Sequence, residues 1–135
     1  MGAPSKGSVV LVPFPFSDLS QAKYRPAVVL AASGKGDWVL CQVTSKSYGD
    51  EKAIRIGTHD FESGGLRLES FARPGKLFTA HESLFQVEAG RLRAAAFERC
   101  ARRLRRAAAE SPMTIRVGFG IISLLPTIMD IVARR

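Results

Sequence analysis

The chain has 135 residues, a length that fits one domain better than two. Its hydrophobic fraction of 46% against 24% charged residues excludes an intrinsically disordered protein, because there is ample apolar surface to bury. Two widely spaced cysteines exclude a disulfide framework, and no secretory signal opens the sequence, so we expect a reduced, cytoplasmic protein.

Short apolar runs separated by turn residues predict strands between Ser8 and Thr79. The predicted strands cover residues 8–16, 26–32, 38–44, 53–56, 66–71 and 76–79. Residues 33–37 have the composition of a hairpin turn that joins the second strand to the third. Five or six short strands without crossover helices predict a mainly β fold, a small antiparallel barrel or sandwich.

Residues 91–110 have the pattern of an amphipathic helix that packs on the strands. The apolar positions that recur at helical spacing are Leu92, Ala96, Cys100 and Leu104. The opposite side, facing solvent or a partner, carries Arg99, Arg102, Arg103 and Arg106. We therefore expect a single domain over residues 1–110, followed by an apolar tail over 111–135 whose structure the pattern does not define. The apolar part of that tail, 117–129, is too short to cross a bilayer of about 30 Å.

The formal net charge of +8 is concentrated at the C-terminal end. Residues 1–90 carry 10 basic and 9 acidic side chains, whereas residues 91–135 carry 10 basic and 3 acidic ones, a net charge of +7. Clustered arginines attract polyanions and steer their association. A solvated helix that keeps the protein soluble explains the same charge equally well.

Several common catalytic centres are not supported by the sequence. Residues 33–36 lack the full phosphate-loop pattern. The four residues best suited to hold zinc are scattered without paired spacing, so we expect no metal and no cofactor; they are Cys41, Cys100, His59 and His81. The two histidines could form an acid/base pair for ribonuclease chemistry, although their polar, turn-like surroundings favour surface positions.

Arg25 and Thr44 are the most informative polar positions. Arg25 precedes Pro26 at the start of an apolar strand, where a guanidinium can bind a phosphate with two hydrogen bonds. Thr44 ends the next strand. Counted from a turn centred near Lys35, the two residues are ten and nine positions away, so the hairpin brings them to the same end of the sheet. The alternative is that both are ordinary polar residues at strand ends.

Several motifs in one order give the sequence a resemblance to the MazF/PemK toxins of bacterial toxin–antitoxin systems. They are spread over residues 6–92, about two-thirds of the chain, and lie at residues 6–18, 24–30, 42–45, 60–61, 64–66, 69–79 and 90–92. The resemblance implies an SH3-like barrel with helices that forms a homodimer. It also implies metal-independent cleavage of single-stranded RNA to 2′,3′-cyclic phosphate and 5′-OH ends, and neutralisation by a cognate antitoxin.

The resemblance also implies roles for individual residues. The catalytic arginine and threonine of the family match Arg25 and Thr44, and a second arginine used in some members matches Arg73. An acidic residue that accompanies the second arginine is replaced by Gly75, so the general base is unassigned. The expected RNA groove is lined by Phe16, Ser17, Lys23, Ser45, Lys46, Arg73 and Lys76.

Two other functions remain open at this point. Gly75 and the apolar tail favour a catalytically inactive nucleic-acid or partner-binding module on the same barrel, whereas the intact Arg25 and Thr44 favour the enzyme. A weaker alternative is a membrane-associated protein that uses its basic helix and apolar tail together. We expect the ribonuclease and no membrane association.

Overall fold

The computed structural model describes residues 4–15, 22–46, 49, 51–110, 115–117 and 120–122. Within them the chain forms nine strands, one α-helix and two short 3₁₀ turns, at Thr58–Asp60 and Glu82–Leu84. The strands and helix are β1 Ser8–Pro15, β2 Ala22–Gly34, β3 Asp37–Thr44, β4 Ile54–Ile56, β5 Phe61–Gly64, β6 Ser70–His81, β7 Val87–Leu92, α1 Ala94–Glu110, β8 Ile115–Val117 and β9 Gly120–Ile122.

All nine strands belong to one curled sheet in the order β5-β7-β1-β2-β3-β6-β8-β9, with β4 paired to β6 beside this path. Every pairing is antiparallel except that of β6 with β8. The expectation of a mainly β, SH3-like barrel with a C-terminal helix is confirmed. Within the described part of the chain, no helix has the length and apolarity that a membrane span requires.

The predicted hairpin between the second and third strands is present and has a two-residue loop. Lys35 and Gly36 both have positive φ values, 56° and 84°, which produces the tight turn that suits twisted antiparallel strands. Gly36 is also crowded, because a Cβ atom there would lie 2.6 Å from Nε2 of His81. The turn conformation therefore favours glycine at this position, and a larger side chain would also displace the exposed ring of His81.

One continuous core joins the sheet to the helix. It contains Val9, Val28 and Leu40, each with no exposed surface. The predicted apolar stripe of the helix contributes Ala96, Cys100 and Leu104, all buried. Burial raises the pKa of the Cys100 thiol to about 11, which keeps this side chain neutral in the core.

The strand predicted over 66–71 is wrong for residues 66–69, and its last two residues are the start of β6. Gly64 and Gly65, with φ values of 64° and 159°, end β5 before this segment, and the chain does not become extended again until β6. Leu66 and Leu68 suggested a strand, but Leu68 is 65% exposed. The last predicted strand, 76–79, is the second half of β6.

The helix begins at Ala94, three residues later than expected. The residues before it belong to β7, which the sequence did not predict, and Leu92 donates its backbone N–H to the carbonyl of Gly7 at 2.9 Å. Gly90 interrupts the apolar alternation of this strand and hides its period. Leu92 is therefore a buried residue of the sheet and not part of the helix.

Candidate functional site

Arg25 and Thr44 lie at the same end of the β2–β3 hairpin. The last paired residues of the two strands are Ala27 and Gln42, and the same register continued to the end of β3 brings Arg25 opposite Thr44. Residues directly opposite in antiparallel strands have Cα atoms about 5 Å apart and side chains on the same face. Arg25 is half-buried and is also opposite Val12 of β1.

The Thr44 side chain is held by a hydrogen bond from the backbone of Lys46. It is only 5% exposed, and its Oγ1 atom accepts a hydrogen bond from the N–H of Lys46 at 3.2 Å. Because the hydroxyl oxygen accepts from the backbone, its proton is left to be donated to a bound group. Ser45 and Lys46 follow directly and are exposed.

Two residues that the sequence analysis did not select extend this row across the sheet. Thr44 pairs with Phe71 of β6, and Phe71 pairs in turn with Arg55 of β4. Exposure rises along the row, from buried Thr44 through half-buried Phe71 to exposed Arg55. A hydroxyl, an aromatic ring and a cation thus stand side by side, about 10 Å from the first strand to the last. The alternation Ile54-Arg55-Ile56 was the available signal for Arg55.

A large bulge in β6 places Arg73 and Lys76 beside this row. Between two neighbouring pairings, four residues of β6 (73–76) stand against Gln42 alone. The Cys41 thiol donates to the carbonyl oxygen of Arg73 at 3.1 Å and holds the start of the bulge. Arg73 is half-buried, whereas Gly75 and Lys76 are exposed. The structure therefore brings the second arginine and one predicted groove lysine to the end of β3 where Thr44 lies.

The side chains of three predicted groove residues lie outside the described part of the structure. Phe16 and Ser17 lie outside the described residues. The backbone of Lys23 pairs with Phe14 in the β1–β2 ladder, but its side chain is outside the described part of the structure.

The histidines do not form a pair. His81 ends β6 opposite Asp37 and bonds with Ser83, whereas His59 lies just beyond β4, which pairs with the other end of β6. A ribonuclease centre built from two adjacent histidines is therefore excluded.

The helical pattern predicted that Arg99 faces solvent or a partner, but its side chain bonds to other parts of the chain. Its Nη2 atom donates to Oδ2 of Asp60 at 3.2 Å and to the carbonyl of Arg55 at 3.0 Å. Asp60 also accepts from the N–H of Gly57 at 2.8 Å. Burial raises the pKa of Asp60, but the Gly57 hydrogen bond and the Arg99 charge outweigh it, so the net pKa lies below the usual 3.8. Arg99 thus has a structural role, tying α1 to the 3₁₀ turn after β4.

Comparison with known proteins agrees with this geometry. Residues 5–108 match the family model described as PemK-like, MazF-like toxin of type II toxin–antitoxin system. No curated protein matches the sequence. Among solved structures, a MazE–MazF complex from Deinococcus radiodurans has a TM-score of 0.64 at 17% identity, covering 82% of this chain and 100% of that one. An endoribonuclease in complex with its cognate antitoxin, from a mycobacterial species, has a TM-score of 0.61 at 15% identity, covering 81% and 96%.

Proposed function

The chain belongs to the PemK-like, MazF-like toxin family of type II toxin–antitoxin systems. We propose that it is an endoribonuclease that cleaves single-stranded RNA, with Arg25 and Thr44 as its catalytic residues. The observation that supports the proposal is the β2–β3 register, whose last pair is Ala27 with Gln42; extended by two residues on each strand, it sets Arg25 opposite Thr44. A guanidinium and a hydroxyl carried on the same face of a sheet by opposite residues, whose Cα atoms are about 5 Å apart, fit the two sides of one phosphodiester.

The chemistry requires no nucleophile from the protein. The ribose 2′-OH attacks its own phosphorus, the P–O5′ bond breaks, and the products are a 2′,3′-cyclic phosphate and a 5′-OH end. Arg25 stabilises the charge that develops on the non-bridging oxygens, because its guanidinium is always protonated and donates in a fixed fork. Thr44 donates its hydroxyl proton to a phosphoryl oxygen and holds the group in line for attack.

Neighbouring side chains supply the rest of the binding site. Phe71 offers a half-buried ring on which a base can stack, and Lys46 and Lys76 are exposed cations that can bind adjacent phosphates. Base stacking and charge suit single strands, whose bases are free of a partner strand. In this proposal Arg73 binds substrate from the bulge of β6.

We also propose a homodimer and a cognate antitoxin as partners. Two of the similar structures are described as an endoribonuclease with its cognate antitoxin and as a MazE–MazF complex. An antitoxin that covers the row from Thr44 to Arg55 would exclude RNA from it. Inhibition would then require no change in the catalytic residues.

The test is incubation of the purified protein with a long single-stranded RNA in EDTA, beside Arg25→Ala prepared in parallel. We expect fragments with 5′-OH ends from the wild type and at least about 1000-fold less cleavage from the variant, because the charge of the transition state loses its main partner. Arg25→Lys keeps the charge but loses the fork, so an intermediate rate is expected.

Circular dichroism of the variants serves as the folding control. If Arg25→Ala unfolds the protein, the residue is structural and the catalytic assignment fails. If the folded wild type binds RNA without cleaving it, the chain is a binding module on the same barrel. Equal cleavage by wild type and Arg25→Ala would exclude this residue from the reaction.

A further inference from the structure

A polar cleft of about 370 Å³ lies between β4 and the first half of α1, here called the β4–α1 cleft. Its lining residues are Ala53, Ile54, Arg55, His59, Asp60, Arg99 and Arg103. Three of these side chains are arginines and only one is a carboxylate. Arg55 is paired with Glu69, which does not line the cleft, and the other two arginines outnumber Asp60, so the cleft is positively charged at the edge where β4 lies beside β6.

The single carboxylate of the cleft is already neutralised. Asp60 accepts from the Gly57 N–H and from Arg99, and its side chain is only 13% exposed. The Nη2 group of Arg99 is occupied by Asp60 and by the carbonyl of Arg55. The charge that remains for a ligand comes from Arg103, one helical turn beyond Arg99.

Exposed arginines continue this charge along α1. Arg102, Arg103 and Arg106 are spaced by one, three and four positions and so share one side of the helix. All three are exposed, and none forms an ion pair or hydrogen bond with the described part of the chain. The three like charges repel one another, and this repulsion is relieved when a polyanion binds.

The helix surface favours phosphate over a protein partner. Interfaces with proteins are centred on buried aromatic or aliphatic anchors. The large apolar side chains that are exposed in the described residues all lie outside α1; they are Tyr24, Leu68, Leu84 and Val87. Phosphate binding needs only guanidinium groups, which bind it through paired hydrogen bonds.

The cleft also adjoins the candidate catalytic row. Arg55 lines the cleft and is the last member of the row that begins at Thr44 and passes through Phe71. Arg55 is itself paired with Glu69, so it joins the row to the cleft by its position and not by a free charge. A single strand held at Thr44 would pass Phe71 and reach the cleft after two strand spacings, about 10 Å.

We propose that the β4–α1 cleft, with Arg102, Arg103 and Arg106, binds the phosphate backbone of single-stranded RNA outside the phosphodiester that is cleaved. The nature of the polyanion rests on the proposed function, but the site itself does not include Arg25 or Thr44. It increases affinity for longer RNA and contributes no step to the reaction.

The experiment measures binding of a fluorescent single-stranded 2′-deoxyoligonucleotide, which lacks the nucleophile and is not cleaved, over a series of KCl concentrations. The variant carries Arg102→Gln, Arg103→Gln and Arg106→Gln. The matched control carries Lys6→Gln, Lys35→Gln and Arg67→Gln, which remove three equally exposed charges far from the helix in sequence. Losing about three phosphate contacts should make the negative slope of log K against log[KCl] shallower by about 2 in the helix variant.

The control should keep the wild-type slope. Equal slopes for the wild type and the helix variant overturn the proposal, as does an equal loss in both triple variants, which would reflect net charge alone. Polyglutamate that binds the helix arginines while the oligonucleotide does not would identify an acidic protein as the partner and also overturn it. Because cleavage is not measured, a protein that fails to cut RNA but shows the slope change loses only the proposed function.

Discussion

At the scale of single residues, Thr44 allows the sharpest test of mechanism. Thr44→Val keeps the shape of the side chain but removes the hydroxyl, so the transition state loses a hydrogen bond that the ground state uses less. We expect turnover to fall about 100-fold while affinity for a non-cleavable oligonucleotide stays within about twofold. Single-turnover kinetics and equilibrium binding measure the two quantities.

Thr44→Ser is the matched control, because it retains the hydroxyl that accepts from Lys46. It should restore most of the rate. Equal losses of turnover and binding in the valine variant would instead give Thr44 a role in holding the loop after β3.

The sequence was sufficient to bring Arg25 and Thr44 together because one hairpin positions both. Counting outward from the turn depends only on local pairing, and the observed register agrees once two irregularities in the β2–β3 ladder are included. Phe71 and Arg55 were not predictable in this way. They reach the row through β6 and β4, and those pairings depend on contacts between distant parts of the chain.

At the scale of secondary structure elements, Asp60 connects α1 to the turn after β4. Its pKa is lowered in the folded protein, so its contribution to stability is present above the unfolded pKa of about 3.9 and is lost as the pH falls through the folded value. Asp60→Asn should lower the free energy of unfolding by about 1–2 kcal/mol at neutral pH, with the difference shrinking below about pH 4.

Urea denaturation of both proteins at several pH values measures this difference. Glu62→Gln is the control, since Glu62 is an exposed carboxylate on neighbouring β5 and should change stability little. A difference between Asp60→Asn and wild type that does not vary with pH would show that packing, and not the ion pair, holds the helix.

The pairing of β5 with β7 depends on glycine at two positions where the backbones lie very close together. Gly64 has a φ of 64°, and a Cβ atom there would lie 2.3 Å from the carbonyl oxygen of Ala89. A Cβ on Gly90 would lie 2.7 Å from the backbone nitrogen of Gly65. Gly64→Ala should therefore destabilise the protein by about 2 kcal/mol or more, which thermal unfolding can measure.

Gly34→Ala separates conformation from crowding. Gly34 also has a positive φ, 101°, but no atom lies within 4 Å of a Cβ built there. A loss in Gly64→Ala no larger than that in Gly34→Ala would mean that the two strands separate to admit the methyl group. Gly64, Gly65 and Gly90 also explain two errors of prediction. Gly64 and Gly65 end β5 before residue 66, and Gly90 interrupts the apolar alternation that would have indicated β7.

At the scale of the whole molecule, the chain divides at the end of α1. Beyond it, β8 pairs with β6 through two residue pairs only, Phe78 with Arg116 and Thr79 with Val117. The family match ends at residue 108. We therefore expect removal of residues 111–135 to leave a cooperative fold whose melting temperature changes by no more than about 5 °C. A truncated protein without a sharp unfolding transition would show that the tail belongs to the domain.

The overall class of the fold was predictable because it depends on many weak signals that agree. Alternating apolar residues, a glycine turn and a helical stripe each point to the same arrangement, so errors in individual strands such as β7 do not change it. Charge was less informative. The arginines of α1 look equivalent in the sequence, yet Arg99 is used internally while Arg103 lines a cleft, and this distinction needs the position of Asp60.

In the proposed ribonuclease, the bulge of β6 has a consequence for how the preference among RNA sequences can change. Its four residues, 73–76, face Gln42 alone, so the pairings on either side are set independently of what lies between them. A Cβ on exposed Gly75 would meet no atom within 4 Å. New side chains can therefore be exchanged or added here while Phe71 stays opposite Thr44. Substitutions in the bulge can therefore alter which bases the proposed site recognises, while the pairing of Phe71 with Thr44 beside it is kept.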